Sequence, residues 1–215
     1  MKILIIAAHP DDEILGCGGT LSRFINDEKM LITLTDGESS RNNINNQNRN
    51  NLIEKYICKL LNIKYFYYGN FPDNKLDSIN LLDIVKFLEE KTKNFEPDLI
   101  FTHHPDCLNI DHSLTYRAVL TLFRPQNGYN HKILSFMIPS STDYNPLNNF
   151  RGNYYVKLSE DNINLKKQCL EIYEKEMKIY PHSRSINNII NMIKVWGCEV
   201  GCEYCEKFQL IRELI

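Results

Sequence analysis

Residues 2–13 read KILIIAAHPDDE, a continuous apolar run from Ile3 to Ala8 followed at once by His9, Pro10 and three acids. So short an apolar run suits a strand buried on both faces. It does not suit a secretory leader, whose apolar region usually spans about 7–15 residues before a small-residue cleavage site. No other stretch approaches the ~20 apolar residues of a membrane span.

The same grammar repeats outward from this strand. Residues 30–35 (MLITLT) form a second run ending at Asp36-Gly37-Glu38. Residues 63–68 (IKYFYY) form a third, closed by Gly69 and Pro72-Asp73-Asn74, and 99–102 (LIFT) a fourth, behind Pro97-Asp98. Between them, 14–27, about 50–61 and 81–93 carry helical patterns; Leu81, Leu82, Ile84, Val85 and Leu88 show the spacing best. Further strands are expected near Lys132–Ile138 and Tyr154–Leu158, and further helices over 161–179 and 199–213. Strands alternating with helices imply βαβ units. The expectation is a single α/β domain over residues 1–215, Rossmann-like, with a mainly parallel sheet and helices on both faces. Ligands of such sheets sit beyond the carboxyl ends of the strands, where strand order reverses, so chemistry is expected after strands one, two and four.

Two clusters stand at those places. After strand one, His9, Asp11, Asp12 and Glu13 share a tight turn with Gly16, Gly18 and Gly19 behind them. Clustered carboxylates are costly to desolvate, and a divalent cation offsets that cost. Imidazole with carboxylate oxygen suits zinc. A dinucleotide fingerprint fails here, because Leu21 stands where the third glycine belongs. A helix N-cap formed by the Asp pair stays open as a purely structural alternative. After strand four come His103, His104, Asp106, Asn109, Asp111 and His112, and both clusters fall on one edge of the sheet.

HPDDE after strand one, with N-x-D-H after strand four, resembles the PIG-L/LmbE-like zinc-dependent N-deacetylases of the N-acetylglucosaminyl type. The resemblance extends to Thr35-Asp36-Gly37-Glu38, Pro72-Asp73, Arg124-Pro125, Pro139-Ser140-Ser141-Thr142, Pro181-His182-Ser183-Arg184-Ser185 and Val200-Gly201. It implies one zinc per chain held by His9, Asp12 and His112, with iron as an alternative metal in the cell, and Asp11 as general base. It implies a small N-acetylated amino-sugar substrate. Where many members carry histidine this chain has Asn109, which donates a hydrogen bond but transfers no proton at neutral pH; Asp11 then acts alone, or His104 or His182 substitutes. Asp111 is expected to orient His112, and Glu13 to sit behind the site or start the helix. Arg41 or Arg49, Arg124 and Arg184 are candidates for substrate contact. Two rival readings keep the motifs: an amidase acting on a non-sugar or non-acetyl amide, and a non-catalytic sugar- or nucleotide-binding domain.

Composition bounds the rest. A net charge of -2 and pI near 6.3 argue against a nucleic-acid partner. Seven cysteines without an export signal suggest reduced thiols in a cytoplasm. A homo-oligomer is left open. Seven of the ten residues in Asn42–Asn51 are Asn, which reads as a polar loop or a lid. Cys198, Cys202 and Cys205 imitate an iron–sulfur spacing, but only ten residues follow Cys205, and their helical spacing reads instead as buried thiols on one helix face.

Overall fold

The computed structural model describes residues 1–40, 47–126, 131–148 and 150–215, with the backbone alone over 47–51. Strand β1 (Lys2–Ala7) pairs in parallel with β2 (Glu28–Thr35) on one side and β4 (Leu99–His103) on the other. Beyond β2 lies β3 (Tyr65–Phe71), and beyond β4 lies β5 (Lys132–Phe136), both parallel to their neighbours. Strand β7 (Cys205–Arg212) runs antiparallel between β5 and β6 (Tyr154–Lys157), giving the order β3-β2-β1-β4-β5-β7-β6. Strand order therefore reverses between β1 and β4.

The apolar run of β1 is what makes it central. Ile3 and Ile5 face a core formed with helices α1 (Asp12–Arg23), α2 (Gln47–Leu60), α5 (Glu160–Ile172) and α6 (Ile186–Glu199). Leu4 and Ile6 face the opposite core, under α3 (Leu81–Thr92) and α4 (Ile110–Leu122). The two-residue period of a strand sends alternate side chains to opposite faces, and all four are fully buried. At roughly 1.5–3 kcal/mol for each such side chain, this strand alone anchors both layers.

Three sequence expectations need correction. The segment 199–213 is not a helix: a turn leads into β7, where Phe208 points into the core while Lys207 and Gln209 lie on the other face. The last helix is α6, started by Ser185, whose hydroxyl accepts from Asn188 N, and held by Ile189, Ile190 and Ile193. The three cysteines consequently fall in a helix end, a turn and a strand, and do not share a helix face. The Asn-rich stretch is not all loop, because α2 begins inside it at Gln47; Arg41 and the side chain of Arg49 lie outside the described atoms. None of the described helices is long and apolar enough to cross a membrane.

Candidate metal centre and active-site cleft

The end of β1 is pinned from both sides. Thr35 donates to Ala8 O through its N–H (2.9 Å) and its hydroxyl (2.8 Å), and Ala8 N donates to His103 Nε2 at 2.9 Å. These bonds bring the β1 turn up to the β4 loop, where His9 and Asp12 meet His112 from the first turn of α4. His9 Nδ1 lies 3.1 Å from Asp12 Oδ2 and 3.1 Å from His112 Nε2, and His112 Nε2 lies 3.3 Å from Asp12 Oδ2. Three lone-pair atoms thus face one another almost equidistantly. Tetrahedral zinc with bonds of about 2.0–2.1 Å sets its ligand atoms about 3.3 Å apart, so this donor set fits such an ion.

The outer nitrogen of each imidazole is also fixed, as in built metal sites. His9 Nε2 faces Asp111 Oδ2 at 3.1 Å and Asp73 Oδ1 at 3.2 Å. Asp111 is itself held by Asn74 N (2.7 Å) and Leu76 N (3.0 Å), and Asp73 accepts from Ser40 in the β2 loop. His9, Asp73 and Asp111 form a second group of converging ligand atoms, in which each Asp111 oxygen already accepts one backbone N–H and both carboxylates face the outer nitrogen of His9. Asp111 therefore does not orient its neighbour His112. The partner of His112 Nδ1 is the Cys107 sulfur, at 3.0 Å, which also contacts the hydroxyls of Ser141 (2.9 Å) and Thr142 (3.3 Å).

Asp11 occupies the N-cap position of α1, yet its carboxylate makes no cap hydrogen bond, and its backbone sits at φ 104°. A non-glycine residue there costs on the order of 1–3 kcal/mol and marks a position held for another purpose. Glu13 Oε2 accepts from Asp11 N at 3.0 Å and its Oε1 from the Tyr173 hydroxyl at 2.9 Å. The Asp11 carboxylate is thereby free for the cleft, with Arg184 Nη1 3.3 Å from its Oδ2. Burial raises the Asp11 carboxyl to about 8 against the lowering pull of Arg184, with Asp12 and Glu176 adding to the rise. Burial opposes ionisation of Asp12 too, but the His112 and His103 imidazoles prevail and hold it well below the usual range. Burial would depress His9, and the carboxylates of Asp111, Asp12 and Asp73 instead lift it well above 6.5.

The cleft above these atoms has a volume of about 150 Å³ and is lined by His9, Asp11, Asp12, Asp73, Asn109, His112, Glu176 and Arg184, with Pro10, Gly37 and Asn74 at its edges. Asn109 caps α4: its Oδ1 accepts from Asp111 N at 2.9 Å and its Nδ2 donates to Asn74 Oδ1 at 3.0 Å. His104 is buried with its ring edge against Phe150, and His182 accepts from Arg184 N; neither lines the cleft. Arg124 is exposed just past the far end of α4, roughly 20 Å along the helix from His112 at about 1.5 Å per residue, too far to touch a substrate in the cleft. Sequence reasoning missed Cys107, Tyr173 and Glu176, which carry no local motif.

A sheet whose order reverses beside a buried His–Asp–His cluster, with the Asp11 carboxylate turned into a polar cleft, defines an α/β protein with a site able to hold a divalent cation. Residues 4–123 match the family model described as PIG-L, GlcNAc-PI de-N-acetylase, and the chain belongs to that family. It is 30% identical over 148 residues to an uncharacterized deacetylase, YaiS, of Escherichia coli K12, an alignment covering 65% of this chain and 75% of the relative. Among solved structures it resembles the conserved protein TT1542 from Thermus thermophilus, with TM-score 0.79, 19% identity and coverage of 99% of this chain and 96% of the other. It also resembles N,N'-diacetylchitobiose deacetylase from Pyrococcus horikoshii, with TM-score 0.78, 20% identity and coverage of 98% and 83%. The chain therefore belongs to a family described by its de-N-acetylase activity, and its relative in Escherichia coli is described as a deacetylase.

Proposed function

We propose that the protein binds one zinc ion through His9 Nδ1, Asp12 Oδ2 and His112 Nε2, and removes the acetyl group from an N-acetylglucosamine-type sugar seated in the cleft. The observation that carries this reading is the mutual approach of those three atoms to 3.1–3.3 Å, with the outer nitrogen of each ring already engaged. Three protein ligands leave one tetrahedral position open, which is how catalytic zinc differs from structural zinc. A bound zinc supplies Lewis acidity: it makes water acidic near neutral pH and polarises the amide carbonyl.

The remaining steps belong to the protein. Asp11, turned away from the helix it begins, takes a proton from the attacking water and returns it to the departing amine nitrogen. Arg184 favours the ionised state of Asp11 that the first transfer needs, and a dication beside it adds to that attraction. Asn109 is spent on capping α4 and on Asn74, so one carboxylate acts as base and then as acid. The neighbouring carboxylates raise His9 well above 6.5, so a metal held by His9 would have to compete with a proton and would bind less tightly in acid.

The volume constrains the substrate. At about 150 Å³ the cleft is smaller than the roughly 300–1,000 Å³ of sites that enclose a whole drug-sized ligand. It takes an acetamido group with part of one ring, and the rest of the conjugate extends out of the mouth. Its walls offer carboxylates, amides and a guanidinium to sugar hydroxyls.

Free-amine release should be followed on N-acetylglucosamine glycosides, on N-acetylated amines without a sugar, and on the same sugar bearing a longer acyl group. Release from the acetylated glycosides alone is the expected result. Equal release from the non-sugar amides would overturn the sugar assignment, and binding without release by zinc-loaded protein would overturn catalysis. Metal analysis after purification without oxygen distinguishes zinc from iron.

A further inference from the structure

The three cysteines at and beyond the end of α6 take no part in the deacetylase site. The turn that follows α6 folds back tightly: Cys202 N donates to Gly197 O at 3.0 Å, and Gly201 takes φ +74° to make the reversal. A Cβ on Gly197 would meet Cys202 O at 2.5 Å and Glu203 O at 2.7 Å, so only glycine lets the turn lie this close against the helix. Held in this way, the Cys202 and Cys205 sulfurs stand 3.0 Å apart. That is about 1 Å beyond a disulfide bond and inside ordinary sulfur–sulfur contact. Cys205 is buried at the first position of β7, whereas Cys202 is partly exposed in the turn. Among the described residues these two sulfurs belong to no group of three converging metal ligands, so two thiols stand together without a third ligand.

We propose that Cys202 and Cys205 form a reversible dithiol–disulfide site that reacts with low-molecular-weight disulfides. Cys202, the accessible thiol, loses its proton to solvent and attacks one sulfur of the small disulfide. The small molecule's sulfur–sulfur bond breaks, one small thiolate leaves, and a mixed disulfide remains on Cys202. Cys205 then loses its proton and attacks the Cys202 sulfur, expelling the second small thiolate. One small disulfide is reduced to two thiols, and the protein dithiol is oxidised by the same two electrons. The order of attack follows from exposure, and burial also raises the Cys205 thiol to about 12, which disfavours it as the first nucleophile. Because Cys205 precedes Glu206, whose carboxylate is hydrogen-bonded to Gly19 N and Thr20 N of α1, the ring closes directly against a core strand.

The test is intact mass and peptide mapping of the full chain after oxidised glutathione, and again after dithiothreitol. Wild type and Cys198→Ser should each lose the mass of two hydrogens, map to a Cys202–Cys205 bridge and recover on reduction. Cys205→Ser should stop as one glutathione adduct on Cys202, and Gly197→Ala should slow ring closure several-fold. A bridge through the exposed Cys198, a wild-type protein that stops as a glutathione adduct, or one that does not react would each overturn the proposal. The wild-type map decides the matter even if a variant fails to fold, and none of these readouts depends on deacetylase activity.

Discussion

Helix α1 carries buried charge at two places, and the two are built oppositely. At Cys17 (φ −143°) the helix kinks, which frees Leu15 O on one side and Gly19 N and Thr20 N on the other. Lys166 and Glu206 fill the gap: Lys166 Nζ donates to Leu15 O (3.0 Å) and to Glu206 Oε1 (2.6 Å), while the two Glu206 oxygens accept from Gly19 N (2.8 Å) and Thr20 N (2.6 Å). One cation meets one anion, and the freed helix groups find partners. At the helix start, Asp11, Asp12, Glu13, Glu54, Asp73 and Asp111 are each 3% exposed or less, and the nearby guanidinium of Arg184 reaches only Asp11 among them. There, three lone pairs point at one another. Buried charge that is balanced internally holds a fold together, whereas crowded buried carboxyl groups either keep their protons, as the raised Asp11 and Glu54 do, or take up an ion from outside.

The largest effects should come from the unbalanced cluster. If Asp11 is the proton carrier and not a ligand, Asp11→Asn should keep metal content at the wild-type level while turnover falls by about 10²–10⁴-fold. Wild-type turnover in that variant would end the assignment of Asp11. On the proposed ligand set, His112→Ala should lose its metal to mild chelation that wild type survives.

The balanced cluster should respond in stability instead. Lys166→Met strands the Glu206 carboxylate in the core and should cost roughly 3–5 kcal/mol in urea unfolding, whereas pairing it with Glu206→Gln should recover much of that loss. Metal affinity of the folded Lys166→Met protein should be unchanged. A large drop would mean that the two regions are coupled and that their contrast is false.

Two smaller effects sharpen the contrast. Cys107→Ala removes the partner of His112 Nδ1 and should weaken metal binding by about 10–100-fold in chelator competition, with turnover largely restored at saturating metal. Glu54 accepts from the Thr33 hydroxyl, and burial raises it from 4.5 to about 7. Because the folded state holds this proton more tightly than the unfolded chain, Glu54 imposes no penalty below the unfolded value and a growing one as pH rises from about 4.5 to about 7. In metal-free protein, Glu54→Gln should therefore gain stability over wild type at pH 8, by at most about 3 kcal/mol, and gain none at pH 4. An equal gain at both would show that ionisation is not the cause.

What can be read from sequence is what is local. The apolar runs of β1, β2 and β4 are contiguous, and HPDDE and the D-H pair sit beside them, so the sheet and the edge carrying the site are legible. What cannot be read is what depends on distant pairing. Adjacency makes Asp111 look like the partner of His112, yet the first residue of a helix turn points away from the second, and its carboxylate reaches His9, 102 residues earlier. Nothing in the sequence near Lys166 or Glu206 signals the kink in α1 that they fill. Arg124-Pro125 matches a motif, but the length of α4 carries it away from the cleft. The cysteine spacing mimics a helix and conceals the switch from α6 to β7, although Ser185 and the isoleucines at 186, 189, 190 and 193 are a sound start signal.

On the proposed function, the three converging atoms of His9, Asp12 and His112 form a catalytic metal centre. Metal-free protein titrated with zinc, with acetate release from an N-acetylglucosamine glycoside followed at each step, tests it most directly. Activity should rise in proportion to zinc up to an equimolar amount in wild type and stay near zero throughout in His112→Ala. Full activity in rigorously metal-free wild type, or an undiminished titration in His112→Ala, would contradict it.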